Sequence, residues 1–358
     1  MKDRAIIYAE ALFGKNDGKV ANGLVRYSEK YEILAVIDST IAGKDTGEIL
    51  DGQTNGIPIF PTIHTALEIL KEHPDYFIYG IAPTHPILSK EEREIFFEAM
   101  ENGMNIVNGL PEFFSDDLEF MDYAAEYGVT ITDVRKPLPR KDLSHFTGKI
   151  HETKTPVIAV MGTDCAIGKR TTAQLLVRTL REEGLIVAFI ATGQTGLLQG
   201  AKYGAAIDVL SSGYATGAVE HAILTAEETE KPDIIIVEGQ GSLGHPSYTS
   251  SAAILKGALP DAIIIQHAPK RLNYCTYPDI PLKSLQSEID LIEEFCGPRV
   301  MGITINHENM SDTELDNVIT AYEETYQLPV TDVLKKGCDK LLDKLAVYFP
   351  NLSTAAIN

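Results

Sequence analysis

The chain has 358 residues, 44% of them hydrophobic and 23% charged, which is ordinary for a globular protein and long enough for two domains. Its 31 Lys and Arg against 51 Asp and Glu give a formal net charge of -20, which disfavours nucleic acid and anionic membrane surfaces as partners. Any anionic ligand must therefore be held by local cations.

The apolar runs are too short for a membrane span, and the N-terminus lacks the pattern of a signal peptide. We therefore expect a cytoplasmic protein that acts on a small molecule, and the sequence leaves a homo-oligomer open. The four cysteines, Cys165, Cys275, Cys296 and Cys338, lie far apart without a CxxC pair. This usage fits reduced thiols and leaves a metal site unassigned.

The first part of the chain alternates strand-like and helix-like segments. Predicted strands are Ala5–Tyr8, Ile33–Ile37, Tyr76–Ile81, Met104–Val107 and Val129–Thr132, and predicted helices are Lys19–Ser28, a helix capped by Ser89 and Glu92, and Asp117–Tyr127. This rhythm predicts a Rossmann-like parallel sheet with helices on both faces, in an N-terminal domain of residues 1–135. The glycines after the first strand do not match GxGxxG, so we expect no nicotinamide cofactor and regard Asp38 as a turn or cap residue.

Residues 136–155 interrupt the pattern with two prolines and a local excess of basic residues, which predicts a linker. The alternative is that Arg135, Lys136, Arg140 and Lys141 line a cleft between the domains and help to hold an anion. The second domain is then predicted to span residues 156–358.

The second domain opens with a strand, a glycine-rich loop and a helix. Val157–Met161 is a short apolar run typical of a buried strand, and apolar residues then recur at helical spacing from Ala173 to Leu180, with Gly184 as the stop. A glycine loop between strand and helix predicts a phosphate-binding site at the helix N-terminus. The predicted ligands are Gly162, Thr163, Asp164, Cys165, Gly168, Lys169, Arg170 and Thr171.

The loop departs from the common GxxxxGK[ST] pattern. Five residues separate Gly162 from Gly168, and Arg170 replaces the hydroxyl residue that normally binds magnesium. Thr171 comes one residue late, a rotation of roughly 100° on a helix. Phosphate binding is therefore a stronger prediction than magnesium-dependent hydrolysis of ATP.

The later strands end in polar residues, which the carboxyl edge of a parallel sheet brings into one crevice. Glu238 follows the strand Ile234–Val237 as a candidate base, with His245 and His267 as less favoured candidates. The backbone N–H groups of Gly239–Ser242 are candidate oxyanion donors. The predicted substrate ligands are Gln194, Gln240, Ser242, Lys270 and Arg271.

Four motifs, GTDCAIGKRTT, ATGQTG, VEGQGSLGHP and DVRKP, together with the two-domain layout, resemble a family of bacterial and archaeal proteins that joins a Rossmann-like domain to a P-loop domain. The loop is also similar to the GTDxxxGKT loop of dethiobiotin synthetase. By that similarity, Asn306 would read an adenine base. The family resemblance implies D-glutamate N-acetyltransferase activity with acetyl-CoA, in amino-acid catabolism.

Two other functions stay open from the residues alone. One is an ATP- and magnesium-dependent ligase that activates a carboxylate, as dethiobiotin synthetase does, with Lys169, Thr171 and Glu238 handling the metal and the γ-phosphate. The other is a nucleotide-dependent switch that binds a protein partner. Release of free CoA thiol without ATP would favour the transferase.

Overall fold

The fold is that of a computed structural model, which describes residues 2–82 and 88–353. Residues 354–358, included in the predicted second domain, lie outside the described residues. The chain forms two compact units: residues 1–138 with 194–201, and residues 139–193 with 202–358. No helix in the described part of the chain is both long and apolar enough to span a bilayer.

The first unit contains a parallel sheet of six strands in the order β3-β2-β1-β4-β5-β6. Its strands are β1 (Asp3–Tyr8), β2 (Tyr31–Ile37), β3 (Ile59–Phe60), β4 (Tyr76–Tyr79), β5 (Asn105–Asn108) and β6 (Ile131–Asp133). This is the strand order of the Rossmann fold, as the alternating sequence pattern predicts. Apolar clusters cover both faces of the sheet.

The second unit contains a parallel sheet of seven strands in the order β15-β14-β11-β7-β10-β8-β9. Its strands are β7 (Val157–Gly162), β8 (Val187–Ala191), β9 (Tyr203–Gly204), β10 (Ile234–Glu238), β11 (Ala262–His267), β14 (Val300–Ile305) and β15 (Val330–Thr331), and β12 (Asn273–Tyr274) with β13 (Tyr277–Pro281) forms a separate antiparallel hairpin. β7 lies between β10 and β11, so the segments that follow these three strands meet at one edge.

Helices connect the strands of both sheets. They are α1 (Lys19–Arg26), α2 (Thr46–Asp51), α3 (Ile63–Ile69), α4 (Lys90–Glu101), α5 (Leu118–Tyr127), α6 (Lys169–Glu182), α7 (Gln194–Leu198), α8 (Ser212–Glu230), α9 (Ser250–Ala258), α10 (Leu285–Cys296), α11 (Asp312–Tyr326), α12 (Asp339–Tyr348) and α13 (Pro350–Ser353). The capping box of Ser89 and Glu92 opens α4, and Gly184, with a φ of +89°, follows α6 as expected. Asp38 caps a short turn by accepting the N–H of Thr40, and also accepts the N–H of Phe13.

The segment predicted as a linker has local structure in each unit. Lys136 pairs with Asp116 in the first unit. In the second unit, residues 144–155 run along α8, where the Glu220 carboxylate accepts N–H groups from Thr147 and Ile150. Of the basic residues predicted to line a cleft, Lys136 and Arg140 have partners within their own units, since Nε of Arg140 donates to the Tyr214 hydroxyl at 3.4 Å.

Candidate functional site

The loop between β7 and α6 ends at Gly168, whose φ of +101° favours glycine. Gly168 offers α6 no side-chain cap, and the first turn of α6 carries no acidic residue. The N–H groups at this helix end therefore keep their positive partial charge. This local geometry is that of an anion site, as the glycine spacing predicts.

Lys169 is buried against the loop. Its ammonium group donates to the backbone carbonyl of Asp164 at 2.5 Å. A Cβ at Gly162 would lie 3.0 Å from Cδ of Lys169 and 2.9 Å from the Gln266 carbonyl oxygen. Glycine at this position therefore makes room for the lysine side chain beside the end of the strand.

The residues after Lys169 provide a cation and a structural hydroxyl. Arg170 is near enough to Glu238 for its charge to lower the pKa of that carboxyl. Thr171 is half-buried, and the buried Thr172 donates its hydroxyl to Oε1 of Gln266 at 2.5 Å. The position of the usual magnesium hydroxyl is therefore occupied by a guanidinium group.

Glu238 ends β10 beside the loop. Its Oε2 accepts the N–H of Thr192 at 3.0 Å and of Gly193 at 3.3 Å. Burial raises the pKa of Glu238 above its ordinary value, although Arg170, the two N–H donors and Lys169 act in the opposite direction. The residue is thus a buried proton acceptor next to two cations.

The chain after Glu238 runs close to β7. A Cβ at Gly239 would lie only 2.2 Å from the Val160 carbonyl oxygen, and Gly241 has a φ of +55°. The Gln240 side chain donates to the Thr192 carbonyl at 2.5 Å. Within the described part of the chain, the N–H groups of Gly241 and Ser242 have no acceptor, which keeps them available as oxyanion donors.

His267 ends β11 on the other side of β7. Its Nδ1 lies 2.9 Å from the Thr163 hydroxyl, and its ring stacks on Tyr322. Burial, together with the charge of Arg271, lowers the pKa of His267 to about 4. The imidazole is therefore neutral at physiological pH and a weak acceptor for the proton of an ammonium group.

His245 lies between two aromatic rings, those of Tyr248 and Tyr274, with centroids 4.5 Å and 5.0 Å from its own. Its Nδ1 accepts the N–H groups of Ser247 and Tyr248, both at 3.2 Å. Its Nε2 lies 4.0 Å from Oδ1 of Asp164, and neither of these buried atoms has a hydrogen-bond partner among the described residues. Burial lowers the pKa of His245, against the effect of Asp164.

Arg271 fastens the loop, and its predicted grip on a substrate carboxylate stays a prediction. Nη1 donates to Oδ2 of Asp164 at 2.9 Å and to the Cys165 carbonyl at 2.6 Å, and Nη2 donates to the Ala166 carbonyl at 3.4 Å. Nε and Nη2 also form a fork on Glu308 at 2.8 and 2.7 Å. All five N–H groups of the guanidinium are thus committed within the protein.

Lys270 lies in different surroundings from Arg271. Its ammonium group pairs with Glu314 at 2.6 Å on the surface, where 43% of the lysine side chain is exposed. Arg271 is buried and Lys270 points to Glu314, so the two adjacent cations have separate partners, and their joint binding of a carboxylate stays a prediction. Lys169 and Arg170 are the cations that the start of α6 itself contributes next to the loop.

Asn306 follows β14 and supports the loop from that side. Its Nδ2 donates to the Ile167 carbonyl at 3.1 Å, and its Oδ1 accepts the N–H of Glu308 at 2.9 Å. One side-chain N–H remains for a ligand, so adenine recognition by Asn306 stays a prediction. Gln194, in contrast, begins α7 in the first unit, where Gly109 lies against its side chain.

The sequence pattern does not indicate Glu288 or the tyrosines around His245 as part of the site. The buried Glu288 carboxylate, on α10, accepts N–H groups from Leu243 and Gly244 and fixes the chain after Glu238. Burial raises the pKa of Glu288. Tyr248 is close to His245 in sequence, but Tyr274 and Glu288 lie 29 and 43 positions after it. Folding brings these two residues to the site, so no local motif marks them.

The two parallel sheets and the loop define a protein with a Rossmann-like unit and a P-loop unit. Residues 144–342 match the model "Domain of unknown function (DUF1611_C) P-loop domain", and residues 39–137 match "Domain of unknown function (DUF1611_N) Rossmann-like domain". The chain therefore belongs to the DUF1611 family.

Relatives of known structure or name agree with this assignment. A DUF1611 family protein from Anabaena variabilis aligns with a TM-score of 0.88 and 30% identity, covering 97% of this chain and 100% of its own. A Pseudoalteromonas protein named D-glutamate N-acetyltransferase is 32% identical, with 75% of this chain and 80% of its own covered. A protein of the same name from Tritonibacter scottomollicae is 28% identical over the same shares.

Proposed function

We propose that the chain transfers the acetyl group of acetyl-CoA to the amino group of D-glutamate or a close acidic amino acid. The observation that carries this proposal is that relatives with that name match three quarters of the chain. The loop is consistent with it, because CoA brings phosphates that need cations and N–H donors but no magnesium hydroxyl. The residues Gly162–Thr171 would hold those phosphates, with Arg170 as a phosphate ligand.

The transfer needs a base, because an amino group is mostly protonated at neutral pH. Glu238 would take one proton from the substrate ammonium group, and the free amine would attack the thioester carbonyl carbon. The carbon–sulfur bond then breaks, and CoA leaves as the thiolate, which takes up the second proton that the nitrogen loses as it becomes the amide. The N–H groups of Gly239–Ser242 would stabilise the oxyanion formed between these steps.

This role for Glu238 makes a structural demand on the cofactor. The carboxylate lies at the same loop that would hold the phosphates, so the pantetheine arm must fold back toward the sheet. A purely electrostatic role, in which Glu238 balances Lys169 and Arg170, makes no such demand. The Glu238→Gln variant distinguishes the catalytic role from the electrostatic role. If Glu238 is the base, kcat falls by about 100-fold or more, whereas an electrostatic role changes mainly the KM for acetyl-CoA.

The direct test is to give the purified protein D-glutamate and acetyl-CoA without ATP. We expect release of free CoA thiol and an N-acetylated product of matching amount, detected by mass spectrometry. A panel of D- and L-amino acids then defines the acceptor. Strict dependence on ATP and magnesium, with formation of ADP, would contradict the proposal and favour the ligase.

A further inference from the structure

Two buried polar atoms at the loop face each other, and neither forms a hydrogen bond with any residue that the structure describes. Oδ1 of Asp164 and Nε2 of His245 belong to side chains with no exposed area, and they are 4.0 Å apart. That distance is too long for a hydrogen bond between them. Buried polar atoms are nearly always paired, so this pair indicates a third group that binds to both.

The thiol of Cys165 lies beside the same two atoms. The three potential ligand atoms, from Asp164, Cys165 and His245, all lie within 4.8 Å of one another. In the described part of the chain, this is the one group of three or more such side chains gathered this closely. Cys165 is only half-buried, which leaves a route from solvent to the group.

The spacing suits a small tetrahedral cation. Ligand atoms about 2.0–2.3 Å from zinc lie roughly 3.5 Å from one another, so the three side chains would each need to move by about 1 Å or less. A carboxylate oxygen, a thiolate and an imidazole nitrogen also form a donor set that zinc accepts, whereas magnesium prefers oxygen alone.

The surroundings of Asp164 resemble those of a metal-bound carboxylate. Its Oδ2 accepts from Nη1 of Arg271 at 2.9 Å and from the N–H of Cys275 at 2.8 Å, which fixes the carboxylate and leaves Oδ1 for a ligand. A buried carboxylate oxygen at an anion-binding loop would also repel a bound phosphate. A cation at Oδ1 would add to the charge of Arg271 at Oδ2 in offsetting that repulsion.

We propose that Asp164, Cys165 and His245 bind one zinc ion at the loop, with a fourth position open to water or ligand. This proposal does not depend on acetyl transfer. It does require a local change, because a zinc-bound Nε2 leaves the ring proton on Nδ1. The hydrogen bonds from the N–H groups of Ser247 and Tyr248 to Nδ1, both 3.2 Å, must then open, so the turn at Ser247 moves when zinc binds.

The test is metal binding by the purified full-length chain. We expect about one zinc per chain by elemental analysis after dialysis against zinc and then against buffer. Cobalt loaded into the metal-free chain should give a near-ultraviolet thiolate-to-metal band. Cys165→Ser should abolish that band and His245→Ala should weaken metal binding by at least tenfold, whereas Cys275→Ser, at an exposed cysteine nearby, should retain both.

A second measurement avoids variants that fail to fold. In the unaltered chain, zinc should slow alkylation of Cys165 by iodoacetamide, mapped by mass spectrometry, more than that of Cys275. Absence of stoichiometric metal, a cobalt band retained in Cys165→Ser, or equal alkylation of Cys165 with and without zinc would each overturn the proposal. None of these readouts requires acetyltransferase activity.

Discussion

Arg271 and Lys270 are neighbours in sequence with opposite surroundings. Only 8% of the Arg271 side chain is exposed, and its guanidinium joins Asp164 to Glu308. These two ion pairs raise its pKa above the ordinary value despite burial. The side chain thus holds the loop and the segment after β14 together.

The contrast predicts unequal losses of stability. Arg271→Ala leaves two carboxylates without their partner in a buried place and should lower the free energy of unfolding by about 3 kcal/mol or more. Lys270→Ala removes an exposed pair and should cost at most about 1 kcal/mol. Urea denaturation of both variants measures this. Equal losses would mean that the Arg271 network contributes little.

We expect the affinity for a phosphate ligand to depend on Arg170 and Lys169. Each substitution by Ala removes a charged hydrogen-bond donor and should weaken acetyl-CoA binding about 10- to 100-fold, measured by calorimetry. Arg178→Ala is the matched control, because this exposed arginine on the same helix pairs with Glu182 at 3.6 Å. If all three variants bind acetyl-CoA equally well, the phosphates are held elsewhere.

We expect Glu238 to make the stability of the folded chain depend on pH. Because its pKa is raised in the folded state, the folded chain holds this proton more tightly than the unfolded chain does, and stability falls as pH rises above the ordinary value of 4.5. Glu238→Gln cannot ionise, so its stability relative to the unaltered chain should improve across that range. Denaturation at a series of pH values measures the difference. A constant difference from pH 4 to 8 would argue against the raised pKa.

The sequence predicts the loop well but not the contacts that hold it. Gly162, Gly168 and Lys169 have fixed spacing within one strand–loop–helix unit, so a local pattern identifies them. The hydrogen bonds of Arg271 require Glu308, which lies 37 residues away in sequence. The position of Nε2 of His245 opposite Oδ1 of Asp164 likewise joins distant parts of the chain. Such pairs arise from tertiary packing, which a residue type alone does not specify.

At the level of elements, buried parallel strands are the most predictable. Their continuous apolar runs, such as Val157–Met161, stand out from the sequence and the observed strand differs by one residue. Helix α8 escaped prediction because small residues pack along it on more than one side, which removes the simple amphipathic pattern. The ATGQTG motif leads into a helix, since α7 begins at Gln194.

We expect alanine to have opposite effects on stability at two glycines of α8. A Cβ at Gly217 would lie 2.3 Å from the Ser144 carbonyl oxygen, whereas a Cβ at Gly213 would meet nothing within 4 Å. Gly217→Ala should therefore destabilise the chain by about 1–3 kcal/mol through overpacking. Gly213→Ala should stabilise it by up to about 1 kcal/mol, because helical alanine loses less entropy. Thermal unfolding measures the stability of both variants. If Gly217→Ala stabilised the chain, residues 144–146 would have to move aside to accommodate the added methyl group.

For the whole molecule, the division of the chain into units is not a single cut. Residues 194–201 belong to the first unit, where Gln199 donates to the carbonyls of Gly23 and Tyr27 and Leu198 is part of the apolar core. Sequence pattern places a boundary near residue 136 but gives no sign of this return, because the segment is short and its partners are distant. The chain therefore passes between the units three times.

Leu198 tests the contribution of this segment. Leu198→Ala removes a buried side chain from the first unit and should lower its local stability by about 2–4 kcal/mol. Hydrogen exchange read by mass spectrometry should then quicken in α1 and β1, with α10 in the second unit as the reference. Unchanged exchange in α1 would mean that residues 194–201 do not stabilise the first unit.

The return of residues 194–201 has a consequence for biosynthesis. A ribosome delivers residues 1–138 first, yet the last piece of that unit emerges only after residues 139–193 have been made. Domains usually fold in the order of their synthesis. Here the nascent first unit must wait, incomplete, for a segment encoded inside the next one, so slow translation between codons 138 and 201 should prolong its exposure to chaperones and proteases.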